Sequence, residues 1–163
     1  MSRPALKDAP AAAARTRYED DLYLWVQEQV ELLRAGRFEE LDAENVAEEL
    51  SDVGKSERWK LWSILRVLVM HMLKWDQQPE MRTPSWVYSI REQRRRYADL
   101  LASSPSLKPQ REEVLAHVYP VARGWASDET SIPEDEFPAE CPYGWDDILD
   151  RPFEVDDAAR RSR

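Results

Sequence analysis

Glu44, Glu48 and Asp52 stand at i, i+4 and i+8, with Glu49 beside them, and on a helix the first three would share one face. Clustered carboxylate oxygens are what a hard divalent cation takes, and substrate phosphates could complete its shell, so the pattern points to metal-assisted hydrolysis. Such a site needs further acidic residues from a neighbouring helix, and the next helical stretch offers only Glu57 and Asp76. At about 100° per residue the row also lies opposite the apolar stripe Val46, Leu50 and Val53, which turns it toward water or a basic neighbour.

His71 is the second candidate, as a general base or a metal ligand. It lies in LWSILRVLVMHMLKWDQQP, Leu61 to Pro79, an apolar run carrying Ser63, Arg66 and Lys74 as a polar stripe with His71 at its margin and Trp75 beside it. His71 and His117 are the only histidines, which excludes sites that need three. Neither Glu-x-x-His nor His-Glu-x-x-His occurs, which removes the usual di-iron bundle and zinc-protease patterns. The simpler reading is a histidine at the core edge, hydrogen-bonded to a carboxylate or a carbonyl. If the segments flanking Gly54 form an antiparallel hairpin, Glu49 is best placed to answer the buried cations, giving a structural polar network of Glu49, Arg66, His71 and Lys74. No complete catalytic set emerges; an acid–base site would have to be built from His71 and Glu49.

REQRRRY, Arg91 to Tyr97, is the third candidate. Arg91, Arg94 and Arg95 can line an outer helix face while Ile90, Tyr97 and Leu101 point inward, making a small cationic strip for a partner. Nucleic acid would ask for a wider basic face or base-stacking aromatics, and docking of an acidic segment of the same chain is more economical. Cys141 is the single cysteine, beside Glu140, where a negative neighbour disfavours the thiolate. Phosphate-binding loops, dinucleotide fingerprints and nucleophile elbows have no matching motif. Trp25, Trp59, Trp62, Trp75, Trp86 and Trp125 all fall on predicted helices at core or core-edge positions, so packing accounts for them.

These residues need elements to carry them, and the elements read as helices. Four glycines in 163 residues, no sustained two-residue alternation and many Leu, Glu, Arg and Ala residues predict an all-α fold. Thr16 and Glu19 form a capping-box pair ahead of Tyr18, Leu22, Trp25, Val26, Val30 and Leu33, and Gly36 is placed to end that helix. Asp42 can cap a second helix carrying Val46, Leu50 and Val53; Gly54 is expected to break it from a third, central and buried, that ends before Pro79. Thr83 and Pro84 open a fourth, and a fifth follows SPSLKP, with Pro120 expected to kink or divide it. The acidic ETSIPEDEFPAECPYGW reads as an irregular strap, with one short helix at GWDDILD.

The expectation is a compact bundle of about five helices over residues 18–151, flanked by disordered tails at 1–17 and 152–163. A net charge of −9 divides into blocks. Residues 18–54 carry −10 from two basic and twelve acidic side chains, and residues 55–126 carry +6 from thirteen basic and seven acidic ones. The negative total argues against a duplex-binding surface. One cysteine permits no internal disulfide, and the apolar run is shorter than the roughly 20 residues of a bilayer span, so a soluble, cytoplasmic protein is expected.

With the segments placed, YEDDLYLWVQEQVELLRAGRFEELDAENVAEELSDVGKSERWKL, LVMHMLKWDQQPE, SWVYSIREQRRRYADLL, SPSLKPQ and FPAECPY resemble, in order and spacing, the bacterial family called domain of unknown function 29. The resemblance covers about Tyr18 to Asp150 and implies a small helical bacterial protein with no established activity. Glu49-x-x-Asp52 resembles one half of the paired acidic motifs of helical magnesium-dependent nucleotide pyrophosphohydrolases, without the second half.

The leading expectation is a non-enzymatic protein-interaction module with an unidentified protein partner, no membrane association and no cofactor. The alternatives are a metal-assisted hydrolase holding a divalent cation on Glu44, Glu48, Glu49 and Asp52, and nucleic-acid binding through the arginine strip. The oligomeric state is left open.

Overall fold

The computed structural model describes residues 15–155. The fold is all-α: five α-helices joined by loops and short 3₁₀ turns, with no strand among the described residues. Helix α1 spans Leu22–Arg34. It starts later than Thr16 and Glu19 suggest, because Asp21 caps it by accepting from the Leu24 N–H at 3.0 Å. Thr16 turns instead to Glu28, donating from its backbone N–H and its hydroxyl at 3.0 and 2.9 Å. The helix ends as its glycine predicts. Gly36 takes φ +68°, and the N–H groups of Gly36 and Arg37 reach back to the carbonyls of Leu33 and Leu32.

Helix α2 is the main departure from expectation. It runs unbroken over Ala43–Gln77, so the hairpin at Gly54 does not form. Good helix formers lie on both sides of Gly54, and the roughly 1 kcal/mol that glycine costs a helix interior cannot reverse the chain by itself. Asp42 caps α2 as expected, accepting from the Asn45 N–H at 3.3 Å. Helix α3 spans Pro84–Ser103, although Thr83 makes no side-chain capping bond. Helix α4, Arg111–Thr130, continues through Pro120, held on either side by the buried Tyr119 and Ala122. The short helix at GWDDILD is present as α5, Trp145–Asp150.

The expected single domain over 18–151 groups into two compact units, one ending at Val53 and the other beginning at Gly54. In the first unit the buried residues are Trp25, Gln29 and Leu32, with the Tyr18 ring edge-on to Trp25 at 5.0 Å. The buried Gln29 carbonyl accepts from the Asp42 N–H at 2.9 Å. The second unit has a large core. Its centre is the expected buried helix, the Leu61–Trp75 stretch of α2, where Leu61, Leu65, Leu68, Val69 and Met72 are fully inaccessible. Ile90 from α3, Val118 and Ala122 from α4, and Ile148 from α5 close around it.

The acidic C-terminal segment straps this core as its composition suggests. Phe137, Tyr143 and Phe153 are its buried anchors. Of the two tails expected to be disordered, residues 1–14 and 156–163 lie outside the described residues. Residues 152–155 of the expected C-terminal tail are described, and Phe153 there is buried with its ring edge-on to Trp75 at 5.4 Å.

Candidate functional site

Arg66, His71 and Lys74 in the apolar run of α2 take different partners, and Arg66 Nε is buried with no hydrogen-bond partner among the described residues. Arg66 is held in a column of rings: its guanidinium carbon is 3.8 Å from the Trp125 ring centroid and 4.8 Å from that of Trp62. Trp59 then stacks on Trp62 at 4.6 Å with an interplanar angle of 8°. A delocalised guanidinium suits that sandwich because it is weakly hydrated and planar. Lys74 is 6 % exposed. It pairs with the Glu129 carboxylate of α4 and lies 4.6 Å from the centroid of Trp86. Ser63 faces a cleft described below.

His71 donates from Nδ1 to the Val67 carbonyl at 2.8 Å, one turn back on its own helix. Burial, and then the nearby Lys74, hold its pKa below the ordinary 6.5. Burying a neutral imidazole contributes stability that is present above about pH 6.5 and is lost as the pH falls from there through the lowered folded value. Melting temperature is therefore expected to drop on acidification below pH 6.5, and the drop should shrink in His71→Gln. An equal drop in both proteins would remove His71 as its source.

The four residues of the expected network are not brought together. Glu49 accepts a hydrogen bond from the Tyr18 hydroxyl at 2.6 Å, a contact that, with burial, pushes the phenol up to about 12. Arg66 has its tryptophans, His71 a carbonyl and Lys74 its glutamate. Glu49→Leu and Arg66→Met are thus expected to act independently in a double-mutant melting cycle, adding within the ~0.5 kcal/mol typical of separate sites. A larger coupling would restore the pairing.

Among the described residues, no three His, Cys, Asp or Glu side chains converge in a way that could hold a metal ion. Glu44, Glu48 and Asp52 are exposed along α2. No helix among the described residues is long and apolar enough to cross a membrane. Burial pushes the Cys141 thiol pKa up.

The arginine strip divides as well. Arg94 donates to the carbonyls of Ile148, Arg151 and Asp147 at 2.8, 2.8 and 2.9 Å, so it caps the C-terminal end of α5. Arg95 pairs with Glu92 and Asp99, at 2.8 and 2.6 Å, and Arg91 is exposed. Only part of the strip is therefore offered outward. The residue types were right for recognition, but the acceptors of Arg94 lie more than fifty positions away in the chain.

A different surface emerges in the second unit. A cleft of about 650 Å³ lies along α2 and α3, with Trp59, Ile64, Val67 and Leu100 as apolar walls and Glu57, Lys60, Arg96 and Asp99 among its polar lining. On its other side Trp59 also lines a hollow of about 480 Å³ with Trp62, Arg58, Val114 and His117. Trp59 is 61 % exposed, against the packed position its helical spacing suggests. It lies between the α3 side of the cleft and the α4 side of the hollow without being covered by either, which periodicity alone does not mark. Both hollows fall in the size range of ligand sites, and a flat, pre-stacked indole beside apolar floor favours capture of an apolar side chain.

A family model described as "Domain of unknown function DUF29" matches residues 17–154. No curated protein matches the chain, and no solved structure does.

Proposed function

The chain belongs to the DUF29 family of domains of unknown function, and from that premise we propose that it is a protein-interaction module whose partner seats in the cleft between α2 and α3. The observation that carries this reading is Trp59. A large indole, held flat by Trp62 and left 61 % exposed, loses little conformational freedom on binding and presents a large apolar surface. Ile64, Val67 and Leu100 extend that surface into a groove, and the charges of Lys60, Arg96 and Asp99 at its sides would fix the orientation of what docks. The module would work without a bound cofactor, in a bacterial cytoplasm.

The test is a photo-crosslinking amino acid placed at position 59 of the full chain, produced in its own host. The same residue at the equally exposed Tyr88, which does not line the cleft, is the control. The expected result is one defined protein adduct from position 59 and none from position 88. Equal products from both positions, or none from either, would overturn the assignment.

A further inference from the structure

Three cations of α2, Arg58, Arg66 and Lys74, all meet α4 within the second unit. Two of them find a carboxylate there: Arg58 pairs with Glu113 at 2.7 Å, and Lys74 pairs with Glu129. Arg66, between them in the chain, meets the Trp125 ring instead. No hydrogen bond or ion pair joins its guanidinium to any described residue, the exposed Asp128 three positions past Trp125 included.

The rings leave one part of this group open. Trp125 and Trp62 cover its flanks, with centroids 3.8 and 4.8 Å from the guanidinium carbon, and Nε is buried. What remains is the end-on edge of the two terminal nitrogens, which reach solvent while their rings fix the plane they lie in. A full charge whose donors have no acceptor gains most from an anion. That edge carries parallel N–H groups matched to the two oxygens of a carboxylate lying in the same plane. Indole faces on its flanks favour a flat group that continues the plane over a tetrahedral one. Arg58 and Lys74 are already engaged, so the single charge of Arg66 suits a monoanion better than a phosphate dianion. We propose that the open edge of Arg66 binds the carboxylate of a flat aromatic acid, whose ring lies against Trp125, itself 41 % exposed. This site does not depend on the cleft at Trp59.

The test is proton–nitrogen correlation NMR on the full chain, titrated with sodium benzoate against sodium chloride at equal ionic strength. The Nε–H of Arg66 and the indole N–H groups of Trp62 and Trp125 are expected to shift together and saturate, with a Kd of about 1 mM or tighter. Arg66→Lys keeps the charge without the fork and should bind about tenfold more weakly; Arg66→Gln should not saturate. Inorganic phosphate should bind the wild type at least about tenfold more weakly than benzoate, and Trp59→Ala should bind benzoate as the wild type does. No saturation of the wild type by about 20 mM benzoate would overturn the proposal. So would undiminished affinity in Arg66→Lys, phosphate binding as tight as benzoate, or shifts confined to Trp59 and the cleft. The wild-type and lysine titrations decide the matter even where the glutamine variant does not fold.

Discussion

Arg94→Ala is expected to destabilise the protein by about 3 kcal/mol, which for a chain of this size lowers the melting temperature by roughly 10 °C. One guanidinium holds three carbonyls at the end of α5, those of Asp147, Ile148 and Arg151, and its carbon lies 5.1 Å from the ring centroid of the buried Phe153. Truncation leaves those acceptors without their donor, and Ile148 is fully buried, so water cannot simply replace the side chain there. The estimate stays near the value of one or two charged hydrogen bonds because the contact to Asp147 is at the surface. Arg94→Lys should recover only a fraction, since an ammonium cannot span three carbonyls as a planar fork does. Chemical denaturation of the three proteins checks the order, and a lysine variant as stable as the wild type would contradict the role of the fork.

Asp76→Ala is expected to have a loss of the same order, about 3 kcal/mol, with Asp76→Asn in between. Asp76 receives Arg151 in a two-point contact at 2.5 and 3.0 Å and the Tyr143 hydroxyl at 2.8 Å. Tyr143 precedes α5 and Arg151 follows it, so one carboxylate of α2 ties down both ends of the strap's helix while Arg94 of α3 caps it. Removing the carboxylate leaves a buried phenol and a half-buried cation without their acceptor. Burial and the neighbouring Asp76 also raise the Tyr143 pKa. That contribution is present below the ordinary phenol pKa of 10 and is lost as the pH climbs above it. Equal stability of Asp76→Ala and the wild type in urea would contradict the clamp.

Parts of this arrangement are legible in the sequence and parts are not, for physical reasons. Helix ends with strong local chemistry read well: Asp42 caps α2, Gly36 ends α1 with a positive φ, and α2 stops at Gln77, ahead of Pro79. Gly54 misleads because a glycine marks only a local cost, and the helix formers around it outweigh that cost. Thr16 misleads because a capping pair competes with a tertiary acceptor, Glu28, twelve residues on.

Side-chain roles are harder still. Arg66, Lys74 and His71 were visible as anomalies in an apolar run, but their partners Trp125, Glu129 and the Val67 carbonyl depend on how α4 packs and on which rotamer each side chain takes. Trp59 is the instructive residue. Its spacing marks a helical residue like Trp62, and only the tertiary structure shows that α3 and α4 leave it uncovered between them.

Native mass spectrometry of the untagged protein, purified gently from its own host beside Trp59→Ala, shows whether the cleft holds a partner. A companion protein other than a second copy of the chain is expected at fixed stoichiometry on the wild type and absent from the variant, with both melting at the same temperature. That companion retained in full by Trp59→Ala, or a wild type without one, would contradict the cleft as its seat.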